Sequence, residues 1–365
     1  MPSLLATPAL LAREPAVGRA QELADRLLTP RAQQVDAEGV PLTHVHALRD
    51  AGLIGLAGPA DAGGGAAAPA VARAVTETLS GACGNTWFVL TQHALPLAMT
   101  VASGNPAVCG RYLRPLATGE SLAGVAVAHV RRPRPPAVTA RPAGDGWSVD
   151  GTVGWFTSWG LADVFLLGAQ AGDDLVFFLV DAQPQRGLSA GGELPLAAMG
   201  GTHTTTLQLS GLQLGADRVV DVVPREQWLA SDATKTANVT PAVFGLLRAV
   251  VAELVRTAER RGSAEAADLA AALDAEGGSL RAEAYRLIDE VPAGEAVDRR
   301  LALRATACEL TVRAAAALIA AQAGAAMLLS SPAQRWAREA LFHQVQAQTA
   351  AVRAAQLRRY AEVGR

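Results

Sequence analysis

The sequence predicts an α+β protein in three parts: a helical N-terminal part, a central antiparallel β barrel or sandwich, and a C-terminal helical bundle. Two observations carry this. Apolar residues recur every three or four positions up to about Glu120, alternate in short runs from Ser121 to Pro224, and return to helical spacing from Gln227. No sustained strand–helix alternation is present, which argues against a doubly wound nucleotide-binding sheet. The expected boundaries are 1–120, 121–225 and 226–365.

In order, Pro15–Gln34 and Leu42–Ala51 carry helical spacing, and Asp50-Ala51-Gly52-Leu53 reads as a glycine-capped helix end. Asp61-Ala62-Gly63-Gly64-Gly65 is a loop. Pro69–Leu79, Thr86–Ala102 and Pro106–Ala117 are further helices. The β-branched and aromatic runs Gly124–Val130, Val138–Arg141, Trp147–Val149, Val164–Leu167, Leu175–Val180 and Thr204–Leu209 read as strands. Ala143-Gly144-Asp145-Gly146 and Gly172-Asp173-Asp174 are turns between them. Helices resume over Pro241–Arg260, Ala264–Leu273, Ala296–Leu328 and Pro332–Ala361. Gly277-Gly278 and Pro292-Ala293-Gly294 are expected to break them.

Composition narrows the function classes. The chain has 365 residues and half are apolar, enough for a sizeable core. A formal net charge of -2 gives no reason to expect a polyanionic partner, so no nucleic acid is expected. Lys235 is the only lysine. Cys83, Cys109 and Cys308 are far apart and form no CxxC pair, so neither a disulfide framework nor a zinc site is indicated. No HxxxH, HExxH or carboxylate cluster suggests another metal. The start, Met1-Pro2-Ser3-Leu4-Leu5, lacks a basic region before its apolar patch, so no signal peptide is expected. Ala314–Leu329 is poor in large apolar residues and reads as a buried helix rather than a membrane span. A cytoplasmic protein with no membrane partner is expected.

The stretch Gly144-Asp145-Gly146-Trp147-Ser148-Val149-Asp150-Gly151-Thr152-Val153-Gly154-Trp155-Phe156-Thr157-Ser158 resembles the acyl-CoA dehydrogenase family. Asp150-Gly151 matches that family's strand ending in Asn-Gly, and Trp155-Phe156-Thr157 its Trp-x-Thr beside the flavin ring. Ala162–Ala169 and Leu207–Arg218 resemble its following strands, and Ser331-Pro332-Ala333-Gln334-Arg335 with Arg338-Glu339-Ala340 the start of its last helices. The resemblance spans nearly the whole chain. It implies a helical domain, a β domain and a four-helix bundle, FAD as cofactor, and a homodimer or homotetramer paired through the bundle. It also implies cofactor contacts at Trp155, Thr157, Ser158, Arg260, Gln322 and Gly324. Residues i and i+2 of a strand share a face, so Trp155 is expected to offer a ring and Thr157 a donating hydroxyl to one flavin. Both are also ordinary strand formers, and Arg260 with Arg261 also balances a helix C-terminus.

Two features depart from the family pattern. The usual carboxylate base is missing: Ala347 falls in the common position and Lys235 in the minority one. The usual Thr-Glu-Pro-Gly-x-Gly-Ser segment is replaced by Val127-Ala128-His129-Val130-Arg131-Arg132-Pro133-Arg134-Pro135-Pro136. His129 is therefore the first candidate base and Asp232 the second, with His343 beside the vacant position. His93, Arg131 and Arg132 are candidate substrate contacts, and the arginines, with Arg134, suit a phosphate. The competing reading makes His129 a strand cap and the arginines a solvated edge. His44 and His46 are expected at the surface, and His203 in a turn.

These features lead to an FAD-dependent oxidoreductase acting on CH–CH groups of a small-molecule or acyl-thioester substrate, with a non-standard base, in specialised metabolism. One alternative is a flavin-dependent monooxygenase on the same fold, which needs no α-proton base. The other is a non-redox, FAD-poor enzyme or partner subunit, suggested by the lost glycines.

Overall fold

Proline and glycine punctuate the N-terminal helices of the computed structural model, which describes residues 3–132 and 135–363. The helices are α1 (Ala9–Ala12), α2 (Pro15–Leu23), α3 (Thr29–Glu38), α4 (Leu42–Asp50), α5 (Pro69–Ala82), α6 (Gly84–Thr91), α7 (Ala94–Ala102), α8 (Pro106–Val108) and α9 (Arg114–Thr118). Pro15, Pro30 and Pro69 sit in the first turns of α2, α3 and α5, where no helical donor is lost. A π turn at Ala24–Leu28 joins α2 to α3. The helix expected over Thr86–Ala102 is divided between α6 and α7, at Gln92 and His93. Val45, Leu48, Leu53, Leu79 and Trp87 close this first core.

The central strands are β1 (Ala123–Ala126), β2 (Val138–Ala143), β3 (Gly146–Phe156), β4 (Val164–Ala171), β5 (Asp174–Asp181), β6 (Leu188–Glu193), β7 (Thr205–Gly215) and β8 (Val219–Pro224). They form one sheet in the order β6-β7-β3-β2-β4-β5-β8, with β1 beside β4. The expected three-part fold is present, and its mostly antiparallel β part differs from expectation in two details. The sheet does not close on itself, and β1 and β2 both meet β4 in parallel. The strand expected through Val130 also stops at Ala126, where the chain turns into a 3₁₀ segment, Ala128–Arg131. Strands β6 and β8 escaped the sequence reading. The first carries Gly191 and Gly192, and the second keeps only Val220 fully buried.

The remaining helices are α10 (Arg225–Thr236), α11 (Pro241–Arg261), α12 (Ala264–Glu290), α13 (Val297–Gln322), α14 (Pro332–Val345) and α15 (Ala350–Val363). Helices α11–α14 share a core of Leu246, Leu247, Val250, Leu303, Leu310 and Trp336. Gly277-Gly278 does not end a helix, contrary to expectation. A Cβ on Gly277 would meet Leu247 at 2.6 Å and one on Gly278 would meet Leu4 at 2.5 Å. These glycines let the N-terminal segment and α11 approach α12 closely. That segment is pinned as well, since Ser3 Oγ and the Leu4 amide donate to Asp274 at 2.5 and 2.6 Å. The stretch expected to be a buried helix to Leu329 is buried at Ala314, Ala315 and Leu318, but Met327, Leu328 and Leu329 are exposed. Two helical stretches, Arg225–Arg261 and Val297–Met327, are long and apolar enough to cross a bilayer by composition. Each contributes a packed face to the core just described.

Buried charge ties the layers together. Glu77 of α5 accepts from Arg281 Nε at 2.6 Å and Tyr285 O–H at 2.5 Å, both on α12, with Arg248 of α11 at 3.6 Å. Arg304 of α13 donates to the carbonyls of Thr236 and Gln346, fastening the ends of α10 and α14.

Candidate functional site

The end of β3 is the place where apolar and polar groups are left open. A register irregularity lies between Val153 and Phe156, and it rotates the last residues out of strict alternation. Phe156 turns into the sheet core, while Trp155 is 52% exposed. The strand ends at Phe156, so Thr157 lies beyond it and is buried. The expectation that Trp155 and Thr157 share a strand face is therefore corrected.

Ser158 follows with φ +74°, a left-handed conformation that disfavours a side chain. Its amide donates to Thr202 O at 3.0 Å, but its buried Oγ has no partner among the described residues. An orphaned buried hydroxyl costs desolvation free energy that nothing among the described residues offsets.

Thr157 is held from behind by a chain of hydroxyls. Thr202 Oγ1 donates to Met199 O at 2.7 Å. It has then no hydrogen left for Thr204, 2.8 Å away, so Thr204 donates to Thr202. By the same logic Thr157 donates to Thr204 Oγ1, at 3.0 Å. Thr157 thus offers a ligand its lone pairs, which corrects the donor role expected from the sequence.

The 199–204 loop behind this turn is built tightly. Gly201 is required because a Cβ there would lie 2.0 Å from Val35 O. Its amide donates to Asn85 Oδ1 and its carbonyl accepts from the Val40 amide. Sequence reading missed Thr202, Thr204 and Asn85. The adjacent Gly200-Gly201 pair was the one available signal.

The remaining predicted residues are scattered and engaged. His129 donates from Nε2 to Gly168 O at 2.7 Å, its buried Nδ1 has no partner among the described residues, and the residue lines a void of about 10 Å³. Burial pushes its pKa down, with the nearby Arg132 charge adding to the shift. No substrate fits such a void, so the first-choice base is corrected to a buried turn residue. Asp232, the second choice, is clamped by Arg131 through Nε at 2.7 Å and Nη2 at 2.8 Å. The clamp occupies both the expected base and one expected substrate contact. His343 is buried against Trp87, shares Gln346 Oε1 at 3.2 Å, and is pushed down to about 4 by burial. His93 uses both ring nitrogens internally: Nδ1 accepts from the Ala123 amide and Nε2 donates to Leu116 O. Its pKa is also pushed down by burial to about 4. These bonds take His93 out of substrate binding, although it stands on the wall of an apolar cleft of about 540 Å³. Leu53, Leu56, Val75, Leu79 and Leu97 line that cleft, which belongs wholly to the N-terminal part of the chain. His44, expected at the surface, is fully buried and bonds Thr86. His203 sits in its turn, as expected.

Two pairs do come together. Arg132 approaches the β3 end, its Nη2 3.9 Å from where a Cβ on Gly154 would stand. Arg260 and Gln322 converge on Glu253, at 2.8 and 3.2 Å, with Arg256 at 2.8 Å. Two arginines against one glutamate leave a net positive charge at the α11 end. A Cβ on Gly324 would meet nothing, so this glycine makes no cradle. Arg134 lies outside the described residues. Among the described residues no group of three or more His, Cys, Asp or Glu could hold a metal ion.

Comparison with known proteins places these features. Residues 15–120 match the family model described as acyl-CoA dehydrogenase, N-terminal domain. A search of curated proteins returns no match. Butyryl-CoA dehydrogenase from Megasphaera elsdenii has a similar structure: TM-score 0.81, 15% identity, 99% of each chain covered. A probable acyl-CoA dehydrogenase from Mycobacterium abscessus gives TM-score 0.80 at 18% identity, covering 98% of this chain and 100% of that one. A glutaryl-CoA dehydrogenase from Mycobacterium smegmatis, in complex with FADH2, gives TM-score 0.79 at 17% identity, covering 96% and 94%. At such identities the likeness is one of fold.

Proposed function

On the premise that this chain is an acyl-CoA dehydrogenase family member by its N-terminal domain, with that family's fold along its length, we propose that it is an FAD-dependent oxidoreductase. The observation that supports this best is the end of β3. There an exposed indole stands three residues from a buried, unpartnered hydroxyl on a left-handed backbone. A stack for an apolar ring beside an unspent polar atom fits an isoalloxazine edge. Trp155 would pack the ring and Ser158 and Thr157 would meet its polar edge. Arg260 and Gln322 would lie toward the phosphates, where the net positive charge suits an anion. When bound, FAD supplies the hydride or electron chemistry, and the chain's own residues orient the ring and exclude water.

The substrate in this reading is a small molecule or acyl thioester, oxidised at a CH–CH bond in the cytoplasm. Exposed Met327, Leu328 and Leu329, with Leu341 and Val345 on α14, support pairing of copies through the bundle as a homodimer or homotetramer. A monomeric mass by light scattering at working concentration would remove that element.

A second reading is favoured by one specific observation. Asp232 is spent on Arg131 and His129 is enclosed, so neither is placed to abstract an α-proton. A flavin monooxygenase needs no such base. The first test of the main reading is an absorbance spectrum of the purified protein over about 300 to 550 nm. Oxidised-flavin bands at near-stoichiometric occupancy are expected. No flavin after incubation with FAD would overturn both redox readings and leave the non-redox one. With flavin bound, oxygen-dependent hydroxylation of an amine or aromatic probe would select the second reading over the first.

A further inference from the structure

The 199–204 loop touches three parts of the molecule at once, and His203 is at its centre. Its backbone sits at φ +50°, in the left-handed region. Its carbonyl accepts from the Trp159 amide at 3.1 Å, while Thr202 O accepts from Ser158. The loop is therefore the rear support of the turn that follows Trp155. The His203 ring points the other way, toward the N-terminal helices. Nε2 lies 3.0 Å from Val40 O and Nδ1 lies 2.6 Å from Glu193 Oε1 of β6. Gly39, at φ +102°, makes room for the ring, since a Cβ there would lie 2.6 Å from Cε1.

Both ring partners are acceptors. A carbonyl oxygen has no hydrogen to give, and neither has a carboxylate. A neutral imidazole has one N–H and can satisfy one of them, leaving a lone pair against the other oxygen. Only the imidazolium satisfies both.

We propose that His203 is a positioning residue that is complete only when protonated, and that it clasps the turn behind Trp155 to the N-terminal helices. The clasp is closed at low pH and loosens as the ring loses its proton. Arg31 of α3 acts electrostatically on His44, and several other charged groups on the packed elements are engaged. Asp36 of α3 pairs with Arg338 of α14 at 2.6 Å, Glu38 of α3 accepts from Gln34, and Glu339 of α14 pairs with Arg335. Helix α6 carries no charged residue. Glu193 is thus the carboxylate that faces Nδ1 of the ring. The inference goes beyond the flavin reading, and its test needs no flavin.

The test is hydrogen exchange of the Val40, Ser158 and Trp159 amides between about pH 5 and 8, corrected for the intrinsic rise of exchange with pH. These amides donate to Gly201, Thr202 and His203, so they report the clasp directly. Protection is expected to fall about tenfold as pH rises, the worth of one charge-assisted hydrogen bond. The sign opposes that of His93 and His343, which weaken the fold in acid. In Glu193→Gln, whose amide can donate to an unprotonated Nδ1, the fall should shrink. In His203→Asn, which tolerates the left-handed backbone, it should vanish. Protection that is flat with pH in the wild type, or a fall that persists in His203→Asn, would overturn the proposal. Should His203→Asn fail to fold, the ring nitrogen shifts of the wild type decide it: a neutral His203 at about pH 6 overturns the clasp.

Discussion

Glu77 and Ser158 are both buried polar side chains, and they are treated in opposite ways. Around Glu77 two helices bring two hydrogen-bond donors and a further guanidinium to one carboxylate. Around Ser158 the backbone is left-handed and the described residues provide nothing for the hydroxyl, beside an indole left in the open. The first arrangement holds the fold and needs no visitor. The second is the pattern of a site that something else completes, because local strain and unmet polarity persist where function requires them.

The contrast can be broken or sharpened in four ways. The largest effect is expected on acidification, which attacks the satisfied interior. Burial holds His93 and His343 near pKa about 4, against about 6.5 in an unfolded chain. The unfolded state then binds more protons between those values, so stability falls as pH drops through that window. Each histidine contributes roughly 3 kcal/mol of loss by about pH 4. A denaturant midpoint unchanged between about pH 7 and 4 would contradict this.

Next is Glu77→Ala, which leaves Arg281 buried without its partner. A loss of about 3 to 5 kcal/mol is expected in urea unfolding. A loss below about 1 kcal/mol would mean that the cluster is ornamental.

Ser158→Gly goes the other way. It removes both the left-handed penalty and the orphan hydroxyl, so apo-protein stability should rise by about 1 kcal/mol. A drop on substitution would show that Ser158 is part of the scaffold after all. Smallest in stability is Trp155→Ala, expected within about 0.5 kcal/mol of wild type because the indole is half open. The same variant should lose flavin retention, read by absorbance after gel filtration. Retention at wild-type level would remove Trp155 from the site.

The sequence reading succeeded where periodicity is long and failed where a side chain's fate depends on its neighbours. Helices α11 and α13 were legible because each sustains helical spacing over more than twenty residues. Trp155 and Ser158 could be marked because they fall in a run of residues with a family likeness. His129 and Asp232 could not be judged from the sequence. One is bonded to the Gly168 carbonyl, 39 residues on, and the other is clamped by Arg131, 101 residues back. Of the barrel or sandwich expected from six strands, the closed form is absent, because the sheet stays open. Parallel contacts of β1 and β2 with β4 leave no alternation signal of their own.

The arginine bias has a practical side. Lys235 is the only lysine, and it lies exposed near the end of α10, beside a buried Thr236 whose carbonyl Arg304 holds. A lysine-specific protease therefore has a single target bond, at the joint between sheet and bundle. The rate of that one cut, followed on a gel, is a built-in gauge of how often α10 comes loose.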